Sequence, residues 1–531
     1  MDFCKYKTFV DLLLQQTNMH PEKVALADEN GYYTYQQLNE VSNGVASKLI
    51  RKKIGKGDIV PVVMERSKEF AAAVIGVMKS GAAFVPMSVN WPNAKIESIK
   101  ECVEAKITID KVWMADVEAS PQNVNIVEED SIAFIIFTSG STGKPKGVVH
   151  THKSAYGMIK AEMLSCYPDS SLNYSNIIDM SFIGGIHDVL SCLSLGSTLF
   201  IASELLRKDG KALSKWITSN DIGAMKGNPS FFKILLENYD INIKFLELGS
   251  ERMLPISNLP ERTINSYGCT EFPLPAIIGN VKRNSVLSIG RPAKTVSVFI
   301  VDDRGAICCP GKVGEICLVG PQMAVGYWKM TELTAQKFVK CPFLPGKVRM
   351  YCTGDLARYN ENGDIEIVGR KDFQIKIRGF RIEPGEIENV AIKYPDIEAV
   401  VAVAKEIGEE KHLVLYYTST QKVNKSKLKQ HLSLHIAEYM VPSFFEQLNS
   451  LPLNANGKVD RAALPEPHLS TIESDGNNEI ILHNNNLEKI VYEVVSDVCR
   501  MSDFSPDDKL VDLGISSLGR LKIVADLQKK G

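Results

Sequence analysis

The segment at residues 132–147 constrains this chain most. An apolar run, IAFIIF at 132–137, passes directly into TSGSTGKPKG at 138–147. A short continuous run of β-formers of this kind reads as a buried parallel strand. The ten residues after it read as a loop of phosphate size. Thr138, Ser139, Gly140, Ser141, Thr142 and Gly143 are small, so backbone N–H groups can approach a polyphosphate, with hydroxyls as further donors. Lys144 and Lys146 add positive charge. A Walker-type loop needs Gly-x4-Gly-Lys-Ser/Thr. Counted from Gly140, its second glycine falls on Pro145, and Gly147 rather than Ser or Thr follows Lys146. The spacing excludes a P-loop kinase.

At 531 residues the chain is long enough for roughly three or four domains. Hydrophobic residues make up 44% and charged residues 23%, which allows several cores. A net charge of -2 provides no basic excess for nucleic acid or anionic membrane. No apolar run reaches the roughly 18 residues of a membrane span, and the first residues lack a signal-peptide pattern. The expectation is a cytoplasmic protein without nucleic-acid or membrane partners. The 11 cysteines are scattered, and Cys308 beside Cys309 fits neither a redox pair nor a zinc knuckle. Buried free thiols in a reducing cytosol are expected.

Hydrophobic periodicity predicts amphipathic helices at 9–16 and 37–49, and short buried strands at 59–64 and 83–87. Strands and helices alternate to about residue 300. Short strands at 296–302, 314–319 and 364–368 predict a β-rich appendage. Helices at 387–394 and 425–434 around strands at 399–404 and 413–418 predict a compact α+β unit. Residues 467–486 are polar and read as a linker, followed by a helix at 487–499. The expected fold is multidomain α/β. A large, layered N-terminal α/β domain with a β-rich appendage spans 1–371, and a small mobile α+β subdomain spans 372–466. The linker leads to a partial helical carrier at 487–531.

Residues 138–147 resemble the phosphate loop of the adenylate-forming superfamily, which holds peptide-synthetase adenylation domains, acyl- and aryl-CoA ligases and luciferases. Further segments resemble the family's motifs in order. They are YTYQQL at 33–38, MKSGAAFVP at 78–86, NSYGCTE at 265–271, GEICL from 314 with GYW at 326–328, YCTGDL at 351–356, GRKDFQIKIRGFRIE at 369–383 and NGKVDR at 456–461. Cys269 stands where proline is usual. The resemblance implies ATP-dependent activation of a small carboxylic acid as an acyl-adenylate, with release of pyrophosphate. Two anions must meet, so the site has to supply cations and position. By the same resemblance, residues 138–146, Thr138 included, grip the β- and γ-phosphates. Glu271 holds Mg²⁺, Tyr267 stacks on adenine with Thr270 beside it, and Asp355 with Arg370 holds the ribose. Lys458 is the mobile catalytic lysine, and Asp372 is the hinge about which the small subdomain rotates.

The segment DKLVDLGISSL at 508–518 resembles the attachment site of carrier proteins. Ser517 is then the residue modified with 4′-phosphopantetheine, at the start of a helix. A phosphopantetheinyl transferase and downstream synthetase domains are the implied partners. Carriers of the family run on through further helices, so the expectation is a fragment of a longer synthetase, or a chain cut short.

The acid is less legible. Matching Asp179 and Ser181 keeps the motif that pairs a substrate α-ammonium with Asp. Keeping the spacing to Gly196 instead puts Phe182 and Ile183 at that position. Spacing is preferred, and Ile183 would leave an ammonium unpaired. The remaining matched positions are Gly184, His187, Lys226, Leu246, Leu248, Ser266, Leu274 and Pro275. The expected substrate lacks a conventional α-amine, as an acyl, aryl, keto or hydroxy acid does, with a polar or acidic group facing Lys226. The alternatives are an amino-acid-activating adenylation domain, an acyl- or aryl-CoA ligase, or a noncatalytic binding module.

Overall fold

The computed structural model describes residues 5–530 except 141–144, 167, 282–287, 373, 378, 408–409, 454–458, 468–485, 500–503, 505–509, 511–512, 514 and 516. Among the described residues, two large sheets sandwich a layer of helices. One sheet has 14 strands and the other five, the latter carrying Ile59–Val63, Ala83–Met87, Ile132–Thr138, Lys146–Thr151 and Gly326–Tyr327. Between them lies the helix Lys68–Lys79, whose residues are all buried except Glu69. A helix apolar on every side has to be enclosed on every side. Its Gly76 lets the helix Tyr35–Arg51 approach closely, since a Cβ there would lie 2.4 Å from Val45. Lys79 ends the helix inside the core, donating to Asn39 Oδ1 at 2.6 Å and Asn43 Oδ1 at 2.8 Å. Burial brings its ammonium down to about 7.

The strand Ile132–Thr138 pairs in parallel with Ala83–Met87, as expected, but antiparallel with Lys146–Thr151. The two described flanks of the glycine-rich segment are therefore antiparallel neighbours, with Thr138 opposite Lys146. The expected β-rich appendage is hydrogen-bonded into the larger sheet. Ser288–Pro292 pairs with Ile277–Asn280 on one side and Ile365–Arg370 on the other, which joins the two halves. The C-terminal unit combines the hairpin Ile375–Ile377/Phe380–Ile382, a three-stranded sheet and the helices Pro384–Ala391 and Lys425–Ser433. Its core continues into the five-stranded sheet through Val85, Met87 and Ile135. The helix Asn486–Cys499 packs against Ser517–Lys530, which also packs on Pro229–Asn238 through Leu518 and Leu521. No helix among the described residues is long and apolar enough to cross a membrane. The described cysteines are free, and Cys102 and Cys309 are exposed rather than buried.

Gly290 sits at the junction between the halves of the large sheet. Its φ is +93°, and a Cβ would come within 2.0 Å of the Ile278 carbonyl. Gly305 has a similar φ of +82° with open space around it. Gly290→Ala is expected to destabilise the protein by more than about 2 kcal/mol, and Gly305→Ala by about 1 kcal/mol. Denaturant unfolding of the two variants checks this difference.

Candidate active site

A cleft of about 1740 Å³ opens between the large domain and the C-terminal unit. The loop after the strand Arg262–Tyr267 reaches it and carries Thr270 and Glu271. The Thr270 carbonyl accepts from His150 Nε2 at 2.8 Å. Burial pushes that imidazole down to about 4, so it is neutral and Nε2 carries the proton. Glu271 is fully buried. Its two oxygens accept from Tyr327 Oη at 2.7 Å and Arg381 Nη1 at 2.6 Å. Burial alone would raise this carboxyl, but Arg381 and the Tyr327 hydrogen bond outweigh it and bring it down to about 2. A hard, ionised oxygen donor of this kind suits Mg²⁺, which takes few protein ligands and several phosphate oxygens. In this arrangement a guanidinium compensates the charge.

Asp355 lies on Arg349–Tyr359, directly across the ladder from Arg370 on Ile365–Arg370. That register places Arg370 Nη1 on Asp355 Oδ1, while Tyr267 donates to Oδ2. Arg370 then continues to Asp372, with Nε to Oδ1 at 2.6 Å and Nη2 to Oδ2 at 2.9 Å. Lys376 reaches the same carboxylate, 3.6 Å from Oδ2, and lies 5.5 Å from the centre of the Tyr267 ring. Burial opposes ionisation of Asp355, but Lys376, Arg370 and Tyr267 together hold it below the usual range. Tyr267, Asp355, Arg370 and Asp372 are thus brought into one chain of contacts.

Of the glycine-rich segment, Ser141, Thr142, Gly143 and Lys144 lie outside the described residues, as does Lys458. The described flanks meet the C-terminal unit. Ser139 Oγ donates to the Arg381 carbonyl at 2.9 Å, Gly140 N–H donates to Glu386, and Lys146 Nζ is 3.4 Å from Glu383. Thr138 and Ser139 line the cleft. Ser517 opens the helix Ser517–Lys530, its side chain lying outside the described residues. Leu518 and Ile515 beside it line the same cleft.

Phe182 precedes the helix Ile183–Leu195, with its ring 5.4 Å from Phe380 and 6.0 Å from Tyr439. Ile183, Gly184 and His187 line the cleft from the first turns of that helix, and Leu274 from the opposite loop. Asp179 also lines it, in a turn where it accepts from Ser181 N at 2.8 Å. The structure corrects the expectation for Leu246 and Leu248. They alternate with Glu247, so they pack with Met225 and Phe232 in the apolar core, on the face of the sheet opposite Lys226. Ser266 and Pro275 are buried and do not line the cleft.

Lys226, expected to face a polar or acidic substrate group, lines the cleft among acidic side chains. Its ammonium is buried 2.6 Å from Glu162, 3.4 Å from Glu247 and 3.9 Å from Asp188. His187 Nε2 lies 2.7 Å from the second oxygen of Glu162. Carboxylates already surround this lysine. Glu162, Glu247 and Asp188 were missed, as were Arg381 and Lys376. Glu247 did carry a signal, since a glutamate inside the apolar strand FLELG demands a buried partner.

The signature described as AMP-binding enzyme matches residues 13–328, and that of the AMP-binding enzyme C-terminal domain matches residues 386–458. Tyrocidine synthase 1 of Brevibacillus parabrevis is 31% identical over 99% of this chain, and the chain spans about half of that relative, 51%. Among solved structures, an artificially fused adenylation–PCP di-domain from Klebsiella oxytoca, NpsA-ThdA, is 26% identical with a TM-score of 0.75, covering 84% of this chain and 94% of its own. Holo-PA1221, which contains adenylation and PCP domains, shares the fold over 98% of this chain and 97% of its own, with a TM-score of 0.79 at 21% identity. The chain belongs to the AMP-binding enzyme family of adenylate-forming ligases.

Proposed function

We propose that this chain activates a carboxylic acid with ATP as an acyl-adenylate, releases pyrophosphate, and passes the acyl group to a phosphopantetheine thiol on Ser517 in nonribosomal-peptide-type assembly. One observation carries the reading. The described flanks of the glycine-rich loop, the loop that carries Glu271, Lys376 beside Asp355, and Ile515 and Leu518 next to Ser517 all converge on one cleft. In the proposed mechanism, Asp355 accepts from the ribose hydroxyls, with Arg370 holding it in place, and Tyr267 presents a face to the adenine. Glu271 holds Mg²⁺, which when bound offsets charge on the phosphates. Thr138 and Lys146 add donors at the loop.

Lys376 and Arg381 now touch the groups that nucleotide and metal would engage, so the hairpin Ile375–Ile382 has to withdraw for adenylation. Leu453 and Val459, which flank residues 454–458, bridge to each other, and Val459 packs with Val401 and Val414. These valines alternate with Ala402 and Leu415, whose face packs with the hairpin residues Ile375 and Ile377. A rotation of the C-terminal unit is the proposed motion, and Asp372, tied to Arg370, is the proposed hinge. Domain limits at 371/372 and 466/467 and a linker at 467–486 follow from this reading. The apolar Ile183 at the start of the pocket helix supports an acid without a conventional α-amine. A phosphopantetheinyl transferase and downstream synthetase domains are the proposed partners.

ATP–pyrophosphate exchange against keto, hydroxy, aryl, acyl and α-amino acids tests the activity. Lys458→Ala is expected to lower exchange at least about a hundredfold. Asp355→Ala, which removes charge-assisted hydrogen bonds to the ribose, is expected to raise the KM for ATP about tenfold or more. A further pair separates the half-reactions. Asp372→Pro and Ser517→Ala should both keep exchange and lose covalent acyl loading, read by intact-protein mass spectrometry. Equal loss of exchange in Asp372→Pro would remove the hinge assignment.

A further inference from the structure

The floor of the cleft is a buried polar cluster with more acceptors than donors. Lys226 directs its ammonium at three carboxyl groups, those of Glu162, Glu247 and Asp188. Glu162 accepts from Lys226 on one oxygen, and its other lies 2.7 Å from His187 Nε2 without a well-formed hydrogen bond. Asp188 accepts on one oxygen from Asn176 Nδ2 at 3.2 Å. Glu247 accepts no hydrogen bond on either oxygen, although it is only 2% exposed; its nearest charge is Lys226, at 3.4 Å. Glu247 lines the cleft together with Lys226, Asp188 and His187. Burial first, with Glu162 and Glu247 adding and Lys226 opposing, pushes the Asp188 carboxyl up to about 8.

A buried carboxylate without a donor is costly, and a ligand that brings one recovers that cost. A second carboxylate on the substrate would add a fourth acidic group around one lysine. A methyl end would leave Glu247 as it is. We propose that Glu247 receives a donor from the far end of the substrate, so that the acid activated carries an amino group distal to its carboxylate. The inference rests on the adenylation reading only in taking this cleft as the acid pocket. It reverses the polarity expected from Lys226 alone: the lysine holds Glu162 and Glu247 in place as a positioning residue, and Glu247 touches the substrate.

The test uses the full chain and straight-chain acids of matched lengths ending in an amino, hydroxyl, methyl or carboxylate group. Two readouts are taken, ATP–pyrophosphate exchange and direct binding by calorimetry. Amino-ended acids are expected to exceed methyl-ended and dicarboxylic acids at least about tenfold in kcat/KM. Glu247→Gln should bring the amino-to-methyl ratio close to one, and Glu247→Asp should retain the wild-type order. If Glu247→Gln does not fold, the wild-type ranking and Glu247→Asp decide. A preference for methyl-ended or dicarboxylic acids, or an unchanged ratio in Glu247→Gln, overturns the proposal. Absent exchange with any acid, combined with Glu247-dependent binding of amino-ended acids, overturns the adenylation reading and keeps this one. Exchange indifferent to the tail does the reverse, and absence of both signals overturns both.

Discussion

Glu271 is a carboxylate with no water to solvate it, and the arrangement of this molecule follows from that. Leaving such a group unpaired costs about 3–5 kcal/mol, so it has to be met by a cation or strong donors. Here Tyr327 takes one oxygen and Arg381 the other. Arg381 belongs to the C-terminal hairpin, so the buried charge in the large domain also fixes where the small one docks. The contacts of Ser139 with the Arg381 carbonyl and of Lys146 with Glu383 reinforce the same docking. In the proposed function a metal ion at Glu271 would answer the electrostatic demand that the Arg381 guanidinium answers here.

The same logic governs Asp355. Its neighbours are set by backbone register, since Asp355 and Arg370 are paired residues on adjacent antiparallel strands. Arg370 has a planar fork of donors and binds both Asp355 and Asp372. A lysine could not form both contacts with that geometry. The bond chain runs from Tyr267 through Asp355 and Arg370 to Asp372, so any movement about Asp372 is felt at Tyr267.

Much of the fold was legible in local patterns. The enclosed strand 83–87 and the long helix at 37–49 appear where apolar spacing puts them, the latter extended to Tyr35–Arg51 because Thr34 and Gln37 form a capping box. The loop at 138–147 was recognisable from its small residues and lysines, but the antiparallel pairing of its flanks was not. Whether a strand returns antiparallel depends on its partners, which lie outside the window that periodicity samples. The β-rich appendage was likewise visible as short strands, while its continuity with the large sheet hangs on Gly290, where only the three-dimensional neighbours expose the constraint.

By itself the sequence pointed to the chemistry of an adenylate-forming ligase, because the small residues at 138–143, Tyr267, Glu271 and Asp355 stand in motifs that resemble the family's in the same order. Tertiary structure alone decided the surroundings of Lys226. Lys226 read in isolation is a positive charge awaiting an anion. Folded, it lies beside Glu247 from the neighbouring strand and opposite Glu162 and Asp188 from two helices, separated from it by 64 and 38 positions in the chain. Electrostatic character is a sum over all charges within a few ångströms in a medium that screens them weakly. No stretch of local sequence contains that sum.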